Sequence, residues 1–76
     1  EVEQARAEVG VARGKTENAR RVLAREQQLA AAGAFAQGPV EQARSAVTAA
    51  EGELRAALTS LANLESQARR LEQGVR

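Results

Sequence analysis

The second half of the chain carries apolar side chains at alternating intervals of three and four residues, and this spacing limits the fold more than any other feature. The pattern holds at Val40, Ala43, Val47, Ala50, Leu54, Ala57, Leu61, Leu64, Ala68, Leu71 and Val75. An apolar seam with an average repeat of 3.5 residues stays aligned only when two helices supercoil around each other. We therefore expect a long helix that pairs with a partner helix along this seam.

The first half of the chain supplies that partner. Its seam follows the same spacing through Val2, Ala5, Val9, Ala12, Thr16, Ala19, Leu23, Glu26 and Ala30, with polar residues only at Thr16 and Glu26. Gly33 is suited to the position after a helix end, and Pro39 to the first turn of a helix, with Gly38 as its N-cap. The sequence predicts helices over about 1–32 and 39–74, joined by a tip loop over about 33–38.

So short a connection requires the two helices to lie side by side and antiparallel. The predicted fold is all-α, a two-helix antiparallel coiled-coil hairpin that forms a single domain over residues 1–76. Both seams run to the chain ends without capping signals, and we expect the chain to be a fragment of a longer protein.

Charged residues beside the seam predict how the helices align. With seam positions labelled a and d, Arg6 and Arg20 occupy e positions of the first helix, and Glu51 and Glu65 occupy e positions of the second. Antiparallel pairing about the loop places Arg6 near Glu65 and Arg20 near Glu51. Exposed pairs of this kind contribute about 0–1 kcal/mol each, so they select the alignment more than they stabilise it.

Composition argues against catalysis. The chain has no His, Cys, Asp, Tyr, Trp or Met and a single aromatic residue, Phe35. A two-helix hairpin also offers no concave pocket. We expect no enzyme activity, no metal or cofactor site and no small-molecule substrate on this segment. The net charge of +1 comes from 11 basic and 10 acidic residues that are mixed along the chain, which is not typical of a nucleic-acid-binding surface.

Small residues leave two interpretations open. The many alanines of the seam predict close helices and a thin core. Gly10 and Gly14 fall on outer positions, where each costs about 1 kcal/mol of helix propensity relative to Ala. Alternatively, their four-residue spacing forms a face for close packing.

The tip is the distinctive part of such a rod. Arg25 and Leu29 lie four residues apart, so they share one face of the last turns before the loop, and Phe35 lies in the loop itself. Arginine and aromatic side chains are favoured as interface anchors, which indicates an interaction surface. The alternative is that Leu29 and Phe35 fold over the end of the coiled coil as a plug while Arg25 is solvated.

The tip sequence resembles a known family. The stretch Arg25-Glu-Gln-Gln-Leu29-Ala-Ala-Ala-Gly33-Ala-Phe35-Ala36-Gln37, followed by Val40-Glu41-Gln42-Ala43-Arg44, is similar to the α-helical hairpin of periplasmic adaptor proteins, or membrane fusion proteins, of the HlyD type. The family's tip motif is Arg, three residues, Leu, six residues, Ser. Arg25 and Leu29 match it in identity and spacing, whereas the third position holds Ala36 in place of Ser.

The resemblance implies a role in a tripartite efflux or secretion pump. It implies that the hairpin acts as an interaction and spacer module whose tip, at Arg25, Leu29, Phe35 and Ala36, docks to a TolC-like outer-membrane channel. The rest of the protein would meet an inner-membrane transporter, and six hairpins would form a tube. The expected location is the periplasm or cell envelope, with the full-length protein anchored at the inner membrane.

Two other functions remain open from sequence. One is a generic structural coiled-coil arm, whose tip has no specific partner. The other is a nucleic-acid-binding arm, because the first helix carries a basic run at Arg13, Lys15, Arg20, Arg21 and Arg25. Strongly salt-dependent RNA binding would be its signature.

Overall fold

The computed structural model describes residues 1–33 and 37–75, which form two helices and, within these ranges, no strand. Helix α1 spans Val2–Ala31 and helix α2 spans Gly38–Val75. They run antiparallel as a rod about 66 Å long and 14 by 13 Å across. The predicted all-α two-helix hairpin is confirmed. In the part of the chain that the structure describes, neither helix has a stretch apolar enough to cross a membrane.

Small side chains form the buried core. Within the described ranges, the buried apolar residues are Ala5, Val9, Ala12, Val40, Ala43 and Ala50, all at predicted seam positions. Four of these six are alanines, which let the two backbones approach closely but remove little apolar area from water. The larger seam residues Leu23, Leu54, Leu61 and Leu64 are half-buried. The seam therefore aligns the two helices, but its hydrophobic contribution to the stability of the hairpin is modest.

Among the residues that the structure describes, Thr16 has the most deeply buried side chain, at 1% exposure. Its hydroxyl lies 2.9 Å from the Ala12 carbonyl oxygen one turn earlier and 3.2 Å from the Ala50 carbonyl oxygen of α2. A buried hydroxyl is costly only when it lacks a partner, and this one has two acceptors within reach. The polar interruption noted in the first seam is thus accommodated inside the core.

The packed seam is shorter than the sequence pattern. Leu71 occupies a predicted seam position but is 72% exposed, and Ala68 is exposed as well. The reason is geometric, because the 38-residue α2 extends past the beginning of the 30-residue α1. The prediction that Leu71 packs in the seam is wrong for this structure.

Helix α1 ends at Ala31 and α2 begins at Gly38, each one residue earlier than the sequence predicts, and Gly33 occupies the predicted position after the end of α1. Gly33 follows the α1 C-cap Ala32 with a φ of 78°, the left-handed conformation that glycine adopts at little cost, and its N–H donates to the Ala30 carbonyl at 3.0 Å. In α2, the Glu41 N–H donates to the Gln37 carbonyl at 3.0 Å, which makes Gln37 the N-cap. Gly38 is therefore the first helical residue rather than the N-cap, and Pro39 is the second rather than the first.

Ion pairs line both sides of the seam. Arg6 and Glu65 lie 3.4 Å apart and Arg20 and Glu51 lie 2.9 Å apart, so both predicted pairs are confirmed. We call this side, formed by the e positions of both helices, the e flank. The opposite side, formed by the g positions, is the g flank, and it carries a third pair, Lys15 with Glu53 at 3.6 Å. The sequence-based prediction does not include this pair, although the same heptad labels place both residues at g.

Candidate functional site

The residues before the turn form the candidate interaction surface at the tip. Arg25 is exposed and lies at an outer position of α1, beside the g flank. Leu29 lies one turn further on, at a g position, and is half-buried. Among the residues that the structure describes, Arg25 has no carboxylate within ion-pair distance. The predicted site residues Phe35 and Ala36 lie outside the described residues.

The two flanks differ in chemistry near the tip. On the e flank, Arg20 and Glu51 are joined by an ion pair. On the g flank, one heptad beyond the Lys15–Glu53 pair lie Val22 and Ala46, and another heptad brings the series to Leu29 and Pro39. Val22 is half-buried, and Ala46 and Pro39 are exposed. The g flank therefore becomes an apolar strip as it approaches the tip, with Arg25 at its border.

Sequence analysis identified Arg25 and Leu29 but not the strip that continues from them. The signal was available in the heptad labels, since residues at the g positions of both helices are neighbours in an antiparallel pair. Half-burial of Leu29 shows that part of this side chain is covered by the hairpin and part is accessible. A partner can therefore contact Leu29 without unfolding the end of the rod.

The basic run of α1 is partly neutralised. Lys15 pairs with Glu53 and Arg20 pairs with Glu51, so two of its five cations face carboxylates of α2. Arg13, Arg21 and Arg25 have no such partner among the described residues. Arg21 and Arg25 lie four residues apart on one face of α1, and Arg13 lies on another. Two unpaired cations that share a face form a smaller basic surface than is typical of binding to a phosphate backbone.

A second surface feature lies halfway along the rod. Val11, at an outer position of α1, is 61% exposed, and beside it an open groove of about 400 Å³ runs between the helices on the g flank. Ala7 of α1 and Ala57 of α2 contribute apolar surface to this groove, and Lys15 and Glu53 border it. The sequence pattern draws attention to the neighbouring Gly10 and Gly14 but not to Val11.

Comparison of the chain with protein-family models, with curated proteins and with solved structures found no match. A functional interpretation therefore depends on the residues of the hairpin and their geometry.

Proposed function

We propose that this hairpin is an interaction and spacer module of a HlyD-type periplasmic adaptor in a tripartite efflux or secretion pump. Its tip docks to a TolC-like outer-membrane channel, and the rest of the protein contacts an inner-membrane transporter. In the full-length protein, six hairpins lie side by side with their tips at one end. The proposed location is the periplasm, with the protein anchored at the inner membrane.

One observation carries the proposal. A thin and continuous rod ends in an exposed arginine without an ion-pair partner among the described residues, one turn from a half-buried leucine. The accessible part of Leu29, beside an unpaired cation, adds nothing to the packing of a purely structural rod. A docking surface does, because arginine provides charged hydrogen bonds and leucine provides apolar contact area.

The rod explains how such a module sets a distance. Two helices joined along one seam resist bending better than either helix alone, and the pairs Arg6–Glu65 and Arg20–Glu51 hold them in a single alignment. The segment does no chemistry in this proposal. Its length fixes the spacing between membrane components, and its tip selects the partner.

Ala36 is the point at which the tip departs from the family motif. The serine expected there offers a hydroxyl for the partner, and alanine offers none. The proposal therefore assigns the docking contacts to Arg25, Leu29 and the apolar strip of the g flank. We expect weaker docking than a tip with serine would give, and Ala36→Ser is expected to strengthen it.

The test is binding of the hairpin, presented as a preassembled ring, to a panel of TolC-like channel tips. The tip variants are Arg25→Ala and Leu29→Ala. Arg55→Ala and Leu58→Ala are matched controls, because they make the same changes at exposed positions in the middle of α2. Loss of binding in both tip variants, with retention in both controls, supports the proposal.

The alternative function is a generic structural arm without a tip-specific partner. The presence of Ala36 where the family motif has serine favours this alternative. It predicts that no version of the ring binds any channel tip. It also predicts that Arg25→Ala and Leu29→Ala leave the function of the full-length protein unchanged.

A further inference from the structure

A surface distinct from the tip surrounds Val11. This side chain is 61% exposed and stands beside the open groove of about 400 Å³ between α1 and α2. At the nearby Gly10 and Gly14, a Cβ atom would meet nothing within 4 Å. Val11 is thus an apolar projection next to an apolar depression, on a part of the rod that the hairpin leaves open.

Charges around Val11 are arranged so that the surface complements itself. Glu8 precedes Val11 by three residues, and Lys15 follows it by four, on the same side of α1. Gln4 and Asn18 each lie one heptad away from Val11, in opposite directions. When a second copy is turned through a two-fold axis at Val11, each Glu8 faces a Lys15 and each Gln4 faces an Asn18. Only an antiparallel second copy meets opposite charges at both ends.

We propose that two copies of this chain associate through the Val11 surface, with their α1 helices antiparallel. Val11 of each copy packs into the groove of the other, against Ala7 and Ala57. Glu8 of one copy pairs with Lys15 of the second copy, and the two-fold axis creates this pair twice. Lys15 is 62% exposed in its pair with Glu53, so its ammonium group is accessible to a second carboxylate.

The contact is small, and this fixes the expected strength. It covers about four turns of one helix per copy. A contact of this length buries less total accessible surface than the roughly 1,200 Å² at the lower end for a stable interface. Association is therefore reversible and expected at high micromolar concentration or above. The tips of such a pair point to opposite ends, so this state differs from a ring of parallel hairpins and does not rest on the proposed function.

The first test is sedimentation equilibrium of the 76-residue chain up to millimolar concentration. The wild-type chain is expected to dimerise, and Glu8→Lys is expected to weaken the dimer about tenfold, because both symmetry-related pairs become repulsive. Combining Glu8→Lys with Lys15→Glu and Glu53→Lys restores opposite charges across the dimer and keeps the pair between positions 15 and 53 within each hairpin, and it is expected to restore most of the affinity. Glu72→Lys, the same charge change on the exposed end of α2, is the control, and circular dichroism checks that every variant remains helical.

The second test determines orientation by cross-linking. The chain contains no cysteine, so Gln4→Cys and Asn18→Cys can be made separately and mixed under oxidising conditions. The antiparallel pair predicts disulfides mainly between one variant and the other. A parallel pair would link each variant to itself. A wild-type chain that stays monomeric at millimolar concentration, a dimer that Glu8→Lys does not weaken, or a preference for self-linked products would each overturn the proposal.

Discussion

The hydroxyl of Thr16 in α1 lies 3.2 Å from the carbonyl oxygen of Ala50 in α2, and it links the two helices through a buried polar contact. Neither carbonyl near this hydroxyl depends on it, because the backbone carbonyls within a helix also accept N–H groups four residues later. Removal of the hydroxyl therefore leaves no buried acceptor without a partner. This distinguishes Thr16 from a polar core residue whose loss is costly.

Thr16→Val tests that distinction. The substitution removes a hydrogen bond with a net contribution of about 1 kcal/mol and adds a buried methyl group of similar value. We expect the free energy of unfolding to change by less than about 0.5 kcal/mol, whereas Thr16→Ala is expected to cost about 1–2 kcal/mol because it leaves a cavity. Urea denaturation followed by circular dichroism measures both. A loss above 1 kcal/mol in Thr16→Val would show that the hydroxyl itself holds the helices together.

The Arg20–Glu51 pair is expected to contribute weakly and to depend on salt. Its side chains are 58% and 41% exposed, and at 2.9 Å it has the shortest distance of the described ion pairs. A double-mutant cycle with Arg20→Ala and Glu51→Ala is expected to give a coupling energy of about 0.3–1 kcal/mol. The same cycle on Lys15 and Glu53, which lie 3.6 Å apart, serves as comparison and should give less. Equal coupling in 1 M salt would contradict an electrostatic origin.

On the e flank, Arg13 has no carboxylate opposite it, and a substitution in α2 can supply one. Arg13 lies one heptad from both Arg6 and Arg20, and the corresponding position of α2 is Leu58, which is 40% exposed. Leu58→Glu is expected to place a carboxylate opposite Arg13. The matched control is Leu58→Gln, which has the same shape without the charge. The Glu variant should be more stable than the Gln variant by about 0.3–0.5 kcal/mol at low salt. The same midpoint for both variants in thermal denaturation would contradict a stabilising ion pair between Arg13 and a carboxylate at position 58.

The length of α2 beyond α1 allows a further test of the seam. Leu71 is 72% exposed, so Leu71→Ala removes little buried surface and is expected to change the free energy of unfolding by less than about 0.5 kcal/mol. Leu54→Ala, the same substitution at a half-buried seam position, is expected to cost about 1–3 kcal/mol. Urea denaturation of both variants makes the comparison. A similar loss in the two variants would indicate that Leu71 is covered in solution.

The alignment of the helices was predictable from sequence, as the pairs Arg6–Glu65 and Arg20–Glu51 show. Heptad spacing fixes which side chains face each other once the turn is located, and Gly33 locates the turn. Lys15–Glu53 follows from the same rule on the other flank and could have been found in the same way.

Other features depend on quantities that spacing does not encode. Leu71 has an ideal seam position, but its burial depends on how far α1 extends along α2. The hydroxyl of Thr16 looks like a flaw in sequence, because only the distance to Ala50 shows that it has an acceptor across the seam. At the tip, the heptad labels place Val22 and Pro39 in line with Leu29, but only the structure shows how much of each side chain is accessible.

Docking at the tip is tested most directly by site-specific photo-cross-linking in cells that produce the full-length protein. A benzoylphenylalanine residue replaces Gln28, an exposed position between Arg25 and Leu29 that carries no assigned docking contact, in one strain, and Arg55, in the middle of the rod, in another. We expect an adduct from position 28 that mass spectrometry identifies as an outer-membrane channel, with no such adduct from position 55. Adducts with the channel from both positions, or from position 55 alone, would contradict a function located at the tip.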